Sequence, residues 1–285
     1  MGKNIRIISR LDIKGDNLVK GIHLEGLRVL GKPEFFSEYY FNNGIDEILY
    51  VDIVASLYNR NNISEIVAKT ARDISIPMTV AGGLRTIDDI KSTLRVGADK
   101  IAINTAAIKN PHIIKEASNK FGSSTIIVSI EAIKQQDGNY MAYIDNGREY
   151  TGIDVFNWAE QVEKLGAGEI LITSVDKEGT GLGYDIELTK RVSEIVSIPV
   201  IACGGAGNLE HIQDVIVDGK ADAVAVASML HYATINDEHF QYAPSDEGNI
   251  EFLKQKKFFS CVMPYKTQSI KNFLYKKGIN CRYTN

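Results

Sequence analysis

Short runs of continuously apolar, β-branched residues recur along the chain, separated by longer amphipathic segments. Each run is too short for a surface helix and is typical of a parallel strand that is covered on both faces. The pattern predicts eight strands, at Ile5–Asp12, Glu47–Ile53, Pro77–Ala81, Lys100–Asn104, Thr125–Glu131, Glu169–Thr173, Pro199–Cys203 and Asp222–Ala227.

The segments between these runs carry apolar residues at helical spacing. Helices are predicted at Pro33–Asn43, Ile63–Ile74, Thr86–Val96, Pro111–Phe121, Phe156–Leu165 and Leu209–Val217. Regular alternation of strands and helices indicates an α/β fold, either a closed barrel or an open doubly wound sheet.

An internal repeat favours the barrel. The sequence PMTVAGGL, from Pro77, resembles PVIACGGA, from Pro199, and IISRLDIK at Ile7–Lys14 parallels IVSIEAIK at Ile127–Lys134. A half-barrel duplicated once has eight strands and pseudo-twofold symmetry, for which an open sheet has no equivalent. We therefore predict one (βα)8 TIM barrel with half-barrel internal duplication across residues 1–285.

The alternation of apolar runs and amphipathic segments ends after the eighth predicted strand. Residues 232–267 are polar with scattered aromatics, which predicts an insertion on the catalytic face of the barrel. Residues 268–282 then return to helical spacing and are predicted to form a closing C-terminal helix.

Composition narrows the class of protein. The 285 residues are 44% hydrophobic and 24% charged, as in an ordinary globular protein, and the net charge of −4 argues against a nucleic-acid surface. Three cysteines without CxxC spacing predict a reduced, cytoplasmic protein. We expect no membrane span, no metal site and no nucleotide cofactor, because long apolar runs, clustered ligands and a GxGxxG turn after a strand are all missing from the sequence.

Glycines and small polar residues follow the predicted strands of both halves. Glycine lets backbone N–H groups approach an anion, and hydroxyl or amide side chains near helix N-termini add further donors. Either glycine pair alone could be a simple strand-to-helix turn, but symmetry-related pairs favour phosphate binding at both ends of a substrate. The candidate residues are Gly82, Gly83, Asn104 and Thr105 in one half, and Gly204, Gly205 and Ser228 in the other.

Two carboxylates, Asp12 and Glu131, end related strands and are predicted to face each other across the barrel mouth. Such a pair suits one general acid and one general base. The alternative is that each carboxylate caps a turn or pairs with the nearby Lys14 or Lys134.

At the opposite ends of the strands lies one charged residue on each of four strands. Side-chain alternation can point all four toward the barrel axis, where two cations and two anions neutralise each other. Spacing alone favours a structural salt-bridge plug made of Arg6, Glu47, Lys100 and Glu169.

Several longer motifs resemble the HisF family, the cyclase subunits of imidazole glycerol phosphate synthase. The resemblance covers Arg6 to Tyr232 and Ile270 to Arg282, and it rests on LDIKG, LVKG, GIDE, VDIVAS, GADKIAINTAA, GAGEILITSVDKEGT, GGAGNLEH and KKGINCR. The HisA isomerases share the fold and the repeat but fit INTAA and GGAGNLEH less well.

The resemblance implies a reaction and a partner. A HisH-like glutaminase subunit would dock on the N-terminal face as a heterodimer and release ammonia. The ammonia would cross the barrel to the bisphosphate PRFAR, giving imidazole glycerol phosphate and AICAR.

The resemblance also implies roles for individual residues. Asp12 matches the first catalytic aspartate, Lys20 matches a loop lysine near the substrate, and Asp99 matches a position facing the glutaminase. The four charged floor residues match an ammonia gate. Phosphate sites are implied at Gly83, Asn104 and Thr105, and at Gly179, Gly205 and Ser228.

Four positions depart from the family pattern. Glu131 and Glu178 replace aspartates, Ser124 replaces a glutamine, and Arg10 replaces a small residue. A carboxyl group displaced by roughly one ångström can cost on the order of 10²-fold in rate. A buried Arg10 needs a partner, and Glu131 or a substrate anion is predicted.

Three functions remain open from the sequence. The chain could carry out the HisF reaction with Glu131 in place of aspartate. It could instead be a HisF-like paralogue that supplies ammonia, with an amidotransferase, for acetamidino modification of a nucleotide sugar in surface-glycan biosynthesis. Finally, it could be a non-catalytic scaffold that activates a glutaminase.

Overall fold

Residues 3–55, 63–240 and 261–282 are described by a computed structural model, and they contain twelve strands. These are β1 Arg6–Lys14, β2 Asn17–Ile22, β3 Glu25–Gly31, β4 Glu47–Asp52, β5 Met78–Ala81, β6 Lys100–Ile103, β7 Ile126–Lys134, β8 Tyr140–Ile144, β9 Glu149–Asp154, β10 Glu169–Ser174, β11 Val200–Cys203 and β12 Ala223–Val226.

Eight of these strands form a closed parallel barrel, in the order β1, β4, β5, β6, β7, β10, β11, β12. The barrel closes where β12 pairs with β1, with Ile7 opposite Val224. The prediction of a (βα)8 barrel is therefore confirmed, and each predicted barrel strand has its counterpart.

The described residues contain ten α-helices, of which the first eight lie between strands and the last two follow β12. They are α1 Pro33–Asn42, α2 Ser64–Asp73, α3 Ile87–Arg95, α4 Thr105–Lys109, α5 His112–Phe121, α6 Val155–Lys164, α7 Ile186–Ile195, α8 Leu209–Val217, α9 Ser228–Ile235 and α10 Thr267–Lys276. Predicted ends that differ fall mainly on capping residues. Thr86, for example, precedes α3, and its hydroxyl accepts a hydrogen bond from the Asp89 amide at 3.1 Å.

Two antiparallel hairpins were missed by the strand pattern. β2–β3 follows β1, and β8–β9 follows β7, so the hairpins occupy equivalent places in the two halves. Pairing with these hairpins extends β1 to Lys14 and β7 to Lys134. The prediction that Asp12 and Glu131 end their strands was therefore wrong, because each strand continues beyond its carboxylate.

Side chains alternate between the outside and the inside of the barrel. Outward residues form the main apolar core with the helices, whereas the inward residues form a separate narrow cluster around the axis. This axial cluster consists of Ile8, Leu49, Val51, Ala81, Ala102, Ile127, Leu171, Ile201, Cys203, Ala223 and Ala225.

The chain after β12 starts as a helix. α9 continues to Ile235, so the first residues of the predicted insertion 232–267 are helical, because Tyr232, Ala233 and Thr234 are buried against the barrel. Residues 241–260 of that insertion lie outside the described residues. α10 lies within the segment that was predicted to close the domain, and no helix in the described ranges is both long and apolar enough to cross a membrane.

Candidate active site

Four charged side chains close the N-terminal floor of the barrel in one ring. Arg6 donates to Glu47 Oε1 at 2.8 Å and to Glu169 Oε2 at 2.7 Å. Lys100 Nζ lies 2.6 Å from Glu169 Oε1 and 3.4 Å from Glu47 Oε2. Each charge thus contacts two opposite charges, and the Arg6 and Lys100 contacts hold the pKa of Glu169 below its usual range. The four residues that the sequence singled out are brought together.

Asp99 lies next to this ring, exposed on the same face. Its Oδ2 accepts the Met78 backbone N–H at 2.8 Å. Asp46 accepts the Ile7 N–H, and Asp222 accepts the Val200 N–H, each also at 2.8 Å, at equivalent strand starts. Asp99 therefore anchors a strand, while its exposure leaves it available to a partner. Ser124 is exposed at the same end, before β7.

The opposite rim carries the glycine turns. Gly82 has φ +93°, and a Cβ there would lie 2.2 Å from the Asp52 carbonyl oxygen. Gly205 has φ +111°, and a Cβ would lie 2.0 Å from the Gly183 carbonyl oxygen. Only glycine fits both turns, and each turn brings backbone into close contact with the neighbouring loop.

The helices beside these turns start in the same way in both halves. Asn104 precedes α4 with φ −121° and ψ −81°, and Ala227 precedes α9 with φ −121° and ψ −85°. Thr105 and Ser228 are accordingly the first helical residues at equivalent positions. Since neither helix start has a side-chain cap, its free N–H groups suit an anion.

The first half contains an open cavity of about 420 Å³ at the rim. The turn of hairpin β8–β9 borders it, and the Asn146 side chain donates to the Ile53 carbonyl. The cavity is lined by the predicted residues Gly82, Gly83, Asn104, Thr105 and Glu131, together with Asp52, Arg85, Lys109, Asp145 and Asn146.

Glu131 lies in the wall of this cavity. One carboxylate oxygen accepts the Gly147 backbone N–H at 2.8 Å. Burial raises the pKa of Glu131 to about 7, against the opposing effects of the Gly147 amide, Arg10 and Asn104. A carboxyl group that titrates near neutrality can both accept and donate a proton.

Asp12 is held differently, in a buried cluster of charges. Arg10 Nε donates to Asp12 Oδ1 at 2.8 Å, and Lys20 Nζ lies 3.5 Å from Asp12 Oδ2. Despite burial, these two cations keep the pKa of Asp12 below its usual range. The alternatives that paired the two carboxylates with Lys14 and Lys134 were wrong, since Lys134 contacts Glu187 instead.

Of the two partners predicted for Arg10, Glu131 was wrong, and a substrate anion stays a prediction. The partners of Arg10 are Asp12 and, at 3.9 Å, Glu178 Oε2. β1 places Arg10 two residues before Asp12 on the same inward face, so the shorter contact is with its own strand.

Hairpin β2–β3 folds over the second half of the rim. It brings the buried Lys20 into an ion pair with Glu178, and the His23 backbone N–H donates to the Glu178 carbonyl at 2.9 Å. Beside this contact lies a cleft of only about 20 Å³. The predicted residues lining it are Lys20, Glu178, Gly179, Gly204, Gly205 and Ser228, joined by Arg10 and Cys203.

Sequence reasoning missed the residues that hairpin β8–β9 brings to the site. Asp145 and Asn146 have left-handed φ values of 53° and 60°, and Gly147 follows with 75°. The Asn-Gly pair between two alternating runs is a strong hairpin signal that would have found this turn. Asp52 was also missed, although it lies near the end of the predicted strand Glu47–Ile53.

A closed barrel with a repeated half, a charged floor and a titratable rim defines a (βα)8-barrel enzyme. Residues 6–236 match the profile of the histidine biosynthesis protein family. The chain belongs to this family, and its curated relatives place it among the HisF subunits.

Three such relatives carry the name imidazole glycerol phosphate synthase subunit HisF. The one from Legionella pneumophila is 58% identical over 207 residues, 73% of this chain and 98% of the relative. The one from Methanocaldococcus jannaschii is 46% identical over 262 residues, 85% of this chain and 96% of the relative. The one from Trichormus variabilis is 44% identical over 234 residues, 81% of this chain and 91% of the relative.

Proposed function

We propose that the chain is the synthase subunit that uses ammonia from a HisH-like glutaminase to convert PRFAR into imidazole glycerol phosphate and AICAR. The observation that carries this proposal is the combination of a charged ring at the barrel floor with a carboxylate pair at its rim. Its relatives bear the name of a synthase subunit, which supports the existence of a partner.

The floor suits the entry of a small neutral molecule. The ring of Arg6, Glu47, Lys100 and Glu169 is electrically balanced, so it has no net attraction for ammonium. Beyond it lies the apolar axial cluster, where an ammonium ion would lose its hydration and ammonia loses much less. We assign the ring as an ammonia gate and Asp99 as part of the docking face.

The rim suits an elongated anionic substrate. Gly82, Gly83, Asn104 and Thr105 would bind one phosphate in the open cavity, through backbone N–H groups and the Thr105 hydroxyl. Gly179, Gly204, Gly205 and Ser228 would bind the other phosphate, after the narrow second cleft widens. The reacting part of the substrate would then span the barrel mouth between Asp12 and Glu131.

Glu131 fits the proton transfers of this reaction. The ammonia nitrogen loses a proton as it bonds to the carbonyl carbon of the ribulosyl chain, whose oxygen leaves as water. The nitrogen released in AICAR gains a proton as its carbon–nitrogen bond breaks. A carboxyl group with a pKa of about 7 can take the first proton and return it in the second step.

The test compares PRFAR turnover driven by glutamine plus the glutaminase with turnover driven by ammonium alone. In Glu169→Gln, the ring loses one of the two carboxylates that both cations contact, the one with the shorter contact to Lys100. We expect product formed per glutamine consumed to fall on the order of tenfold, while ammonium-driven turnover is retained.

Glu194→Gln is the matched control, because it removes an exposed ion pair with Lys220 away from the ring. Absence of PRFAR turnover at saturating ammonium would overturn the proposed reaction. Stimulated glutamine hydrolysis without turnover would instead identify a scaffold. Unchanged coupling in Glu169→Gln would overturn the gate.

A second candidate function is supported by Arg10. Its guanidinium occupies the base of the second cleft and holds Asp12, which leaves little room for a second phosphate. This favours a HisF-like paralogue that passes ammonia to another acceptor, such as a nucleotide sugar. Complementation of a histidine auxotroph separates the two, because only the PRFAR reaction restores growth.

A further inference from the structure

The two carboxylates at the barrel mouth differ in their neighbours. Both oxygens of Asp12 face a cation, with Arg10 Nε at 2.8 Å from Oδ1 and Lys20 Nζ at 3.5 Å from Oδ2. Within the described residues Glu131 forms no ion pair, and one of its carboxylate oxygens accepts the Gly147 amide N–H. The asymmetry arises two residues upstream, where β1 carries Arg10 and β7 carries Ser129.

Arg10 is locked into its cluster. It is 5% exposed, and its Nη1 lies 3.1 Å from Cys203 Sγ and 3.9 Å from Glu178 Oε2. Arg10, Lys20, Asp12 and Glu178 together sum to zero charge. Protonation of Asp12 would leave two buried cations facing one anion, which is strongly unfavourable. The cluster therefore stabilises Asp12 in its charged form.

The available space shows the same asymmetry. Glu131 borders the cavity of about 420 Å³, whereas Arg10 borders the cleft of about 20 Å³. A substrate in the open cavity meets Glu131 directly, while Asp12 is enclosed by its cations.

We propose that Arg10 is a positioning residue that fixes Asp12 as a permanent carboxylate, so that Glu131 alone transfers protons in this site. The inference rests on the proposed function for its kinetic consequence, but not for the charge states of the two carboxylates. Asp12 then keeps the cluster of four charges neutral and exchanges no proton with the reacting molecule.

The charged surroundings agree with this division. Burial opposes the charge of both carboxylates, and only Asp12 has two cations that outweigh it and lower its pKa. The charged groups that act on Asp12 are Arg10, Lys20 and Glu178, and the titratable Cys203, Tyr184 and His231 act on those three groups. The groups that act on Glu131 are Arg10, Asn104 and Asp145, while Asp52, Arg85 and Lys109 line the same cavity.

Carboxyl ¹³C NMR titration of the full chain tests the charge states without any substrate. Asp12→Asn and Glu131→Gln provide the assignments. We expect the Glu131 signal to titrate near pH 7 and the Asp12 signal to stay constant between about pH 5 and 9. In Arg10→Ser, which copies Ser129, the Asp12 midpoint should rise by at least about one unit.

Arg10→Lys is the control variant, because it keeps the charge and should leave Asp12 ionised throughout. It also keeps the test valid if Arg10→Ser does not fold. Titration of Asp12 in the wild type across this range would overturn the proposal, as would an unchanged midpoint in Arg10→Ser.

The pH profile of ammonium-driven PRFAR turnover tests the kinetic consequence. Glu131→Gln should abolish the ionisation near pH 7 and lower kcat on the order of 10²- to 10⁴-fold, whereas Asp12→Asn should lower kcat and leave that ionisation in place. Survival of the ionisation in Glu131→Gln would overturn the assignment. Lack of turnover in the wild type would reject the PRFAR reaction while the NMR result still decides the role of Arg10.

Discussion

At the scale of single residues, Glu131 couples the site to the stability of the fold. Its carboxyl group lines the cavity, accepts one backbone amide and forms no ion pair within the described residues, so the more distant Arg10 only partly offsets the effect of burial. The folded protein therefore holds a proton at Glu131 in a range of pH where the unfolded chain has released it.

This raised pKa predicts a specific dependence of stability on pH. Because the folded-state pKa is about 7 and the unfolded value is 4.5, the contribution is complete below pH 4.5 and is lost as pH rises through 7. From pH 5 to 8 the wild type should lose on the order of 2 kcal/mol relative to Glu131→Gln, measured by urea unfolding.

Glu149→Gln is the control for this comparison, because Glu149 is exposed on β9 and its loss should not alter the slope. Parallel pH profiles for the wild type and Glu131→Gln would show that Glu131 is ionised throughout.

Residue types and strand positions predicted much of the candidate site. A charge at the start of a barrel strand points to the floor and a carboxylate near its end points to the rim, so the ring and the Asp12–Glu131 pair followed from alternation alone. The partner of Arg10 did not follow. Which of several nearby carboxylates it contacts depends on side-chain rotamers and on Lys20, which arrives from another element.

At the scale of elements, hairpin β2–β3 is held to the rim by Lys20. This lysine is 3% exposed and contacts both Asp12 and Glu178. The backbone at Gly179 lies directly against this hairpin. A Cβ at Gly179 would be 2.5 Å from the Gly21 carbonyl oxygen, so the contact requires glycine.

Lys20→Met should detach this hairpin and destabilise the fold. The variant leaves Asp12 and Glu178 with Arg10 as their cation, an uncompensated buried charge that costs about 3–5 kcal/mol. Urea unfolding measures the loss, and proteolysis should cut hairpin β2–β3 sooner than in the wild type. Lys14→Met, an exposed change on the preceding strand, should stay within about 0.5 kcal/mol of the wild type. Equal stability of the two variants would refute the anchoring role.

The hairpins also show where hydrophobic patterning fails. Both are antiparallel, and their outer strands β3 and β9 are largely exposed, so those strands lack the continuous apolar runs that revealed the barrel strands. What indicates these hairpins is the alternation of apolar and polar residues around a turn sequence such as Asn146-Gly147. Continuous apolar runs, which indicate parallel strands, do not reveal this pattern. The helix that continues past Tyr232 was missed for a related reason, because its residues are buried on nearly every side and show no amphipathic period.

At the scale of the molecule, the C-terminal helix α10 is tied to the N-terminal ends of the barrel strands. Lys271 on α10 is 1% exposed and donates to Asp46 Oδ1 at 2.6 Å, to the Gly44 carbonyl at 2.7 Å and to the Arg282 carbonyl at 2.8 Å. Asp46 in turn accepts the Ile7 amide at the start of β1. One lysine thus links the end of the described chain to the first two barrel strands.

Lys271→Met should therefore destabilise the whole barrel and not α10 alone. Loss of the cation leaves Asp46 with the more distant Arg282, whose Nε is 3.5 Å away, and a broken buried pair costs about 3–5 kcal/mol. Unfolding followed by both far-UV dichroism and Trp158 fluorescence should shift together. Lys276→Met, exposed on the same helix, is the control. A shift confined to one probe would indicate local fraying of α10.

The parallel bridge between Ile5 and Cys281 brings both ends of the described chain to the barrel floor, where the Ile5 amide donates to the Asn280 carbonyl at 2.8 Å. A label attached close to Ile5 or Cys281 thus lies near the face where we propose that the glutaminase docks. An affinity label or surface linker placed there would compete with that partner for space. Attachment through an engineered cysteine at exposed Glu149, on the hairpin at the far rim, would leave the docking face free for capture experiments.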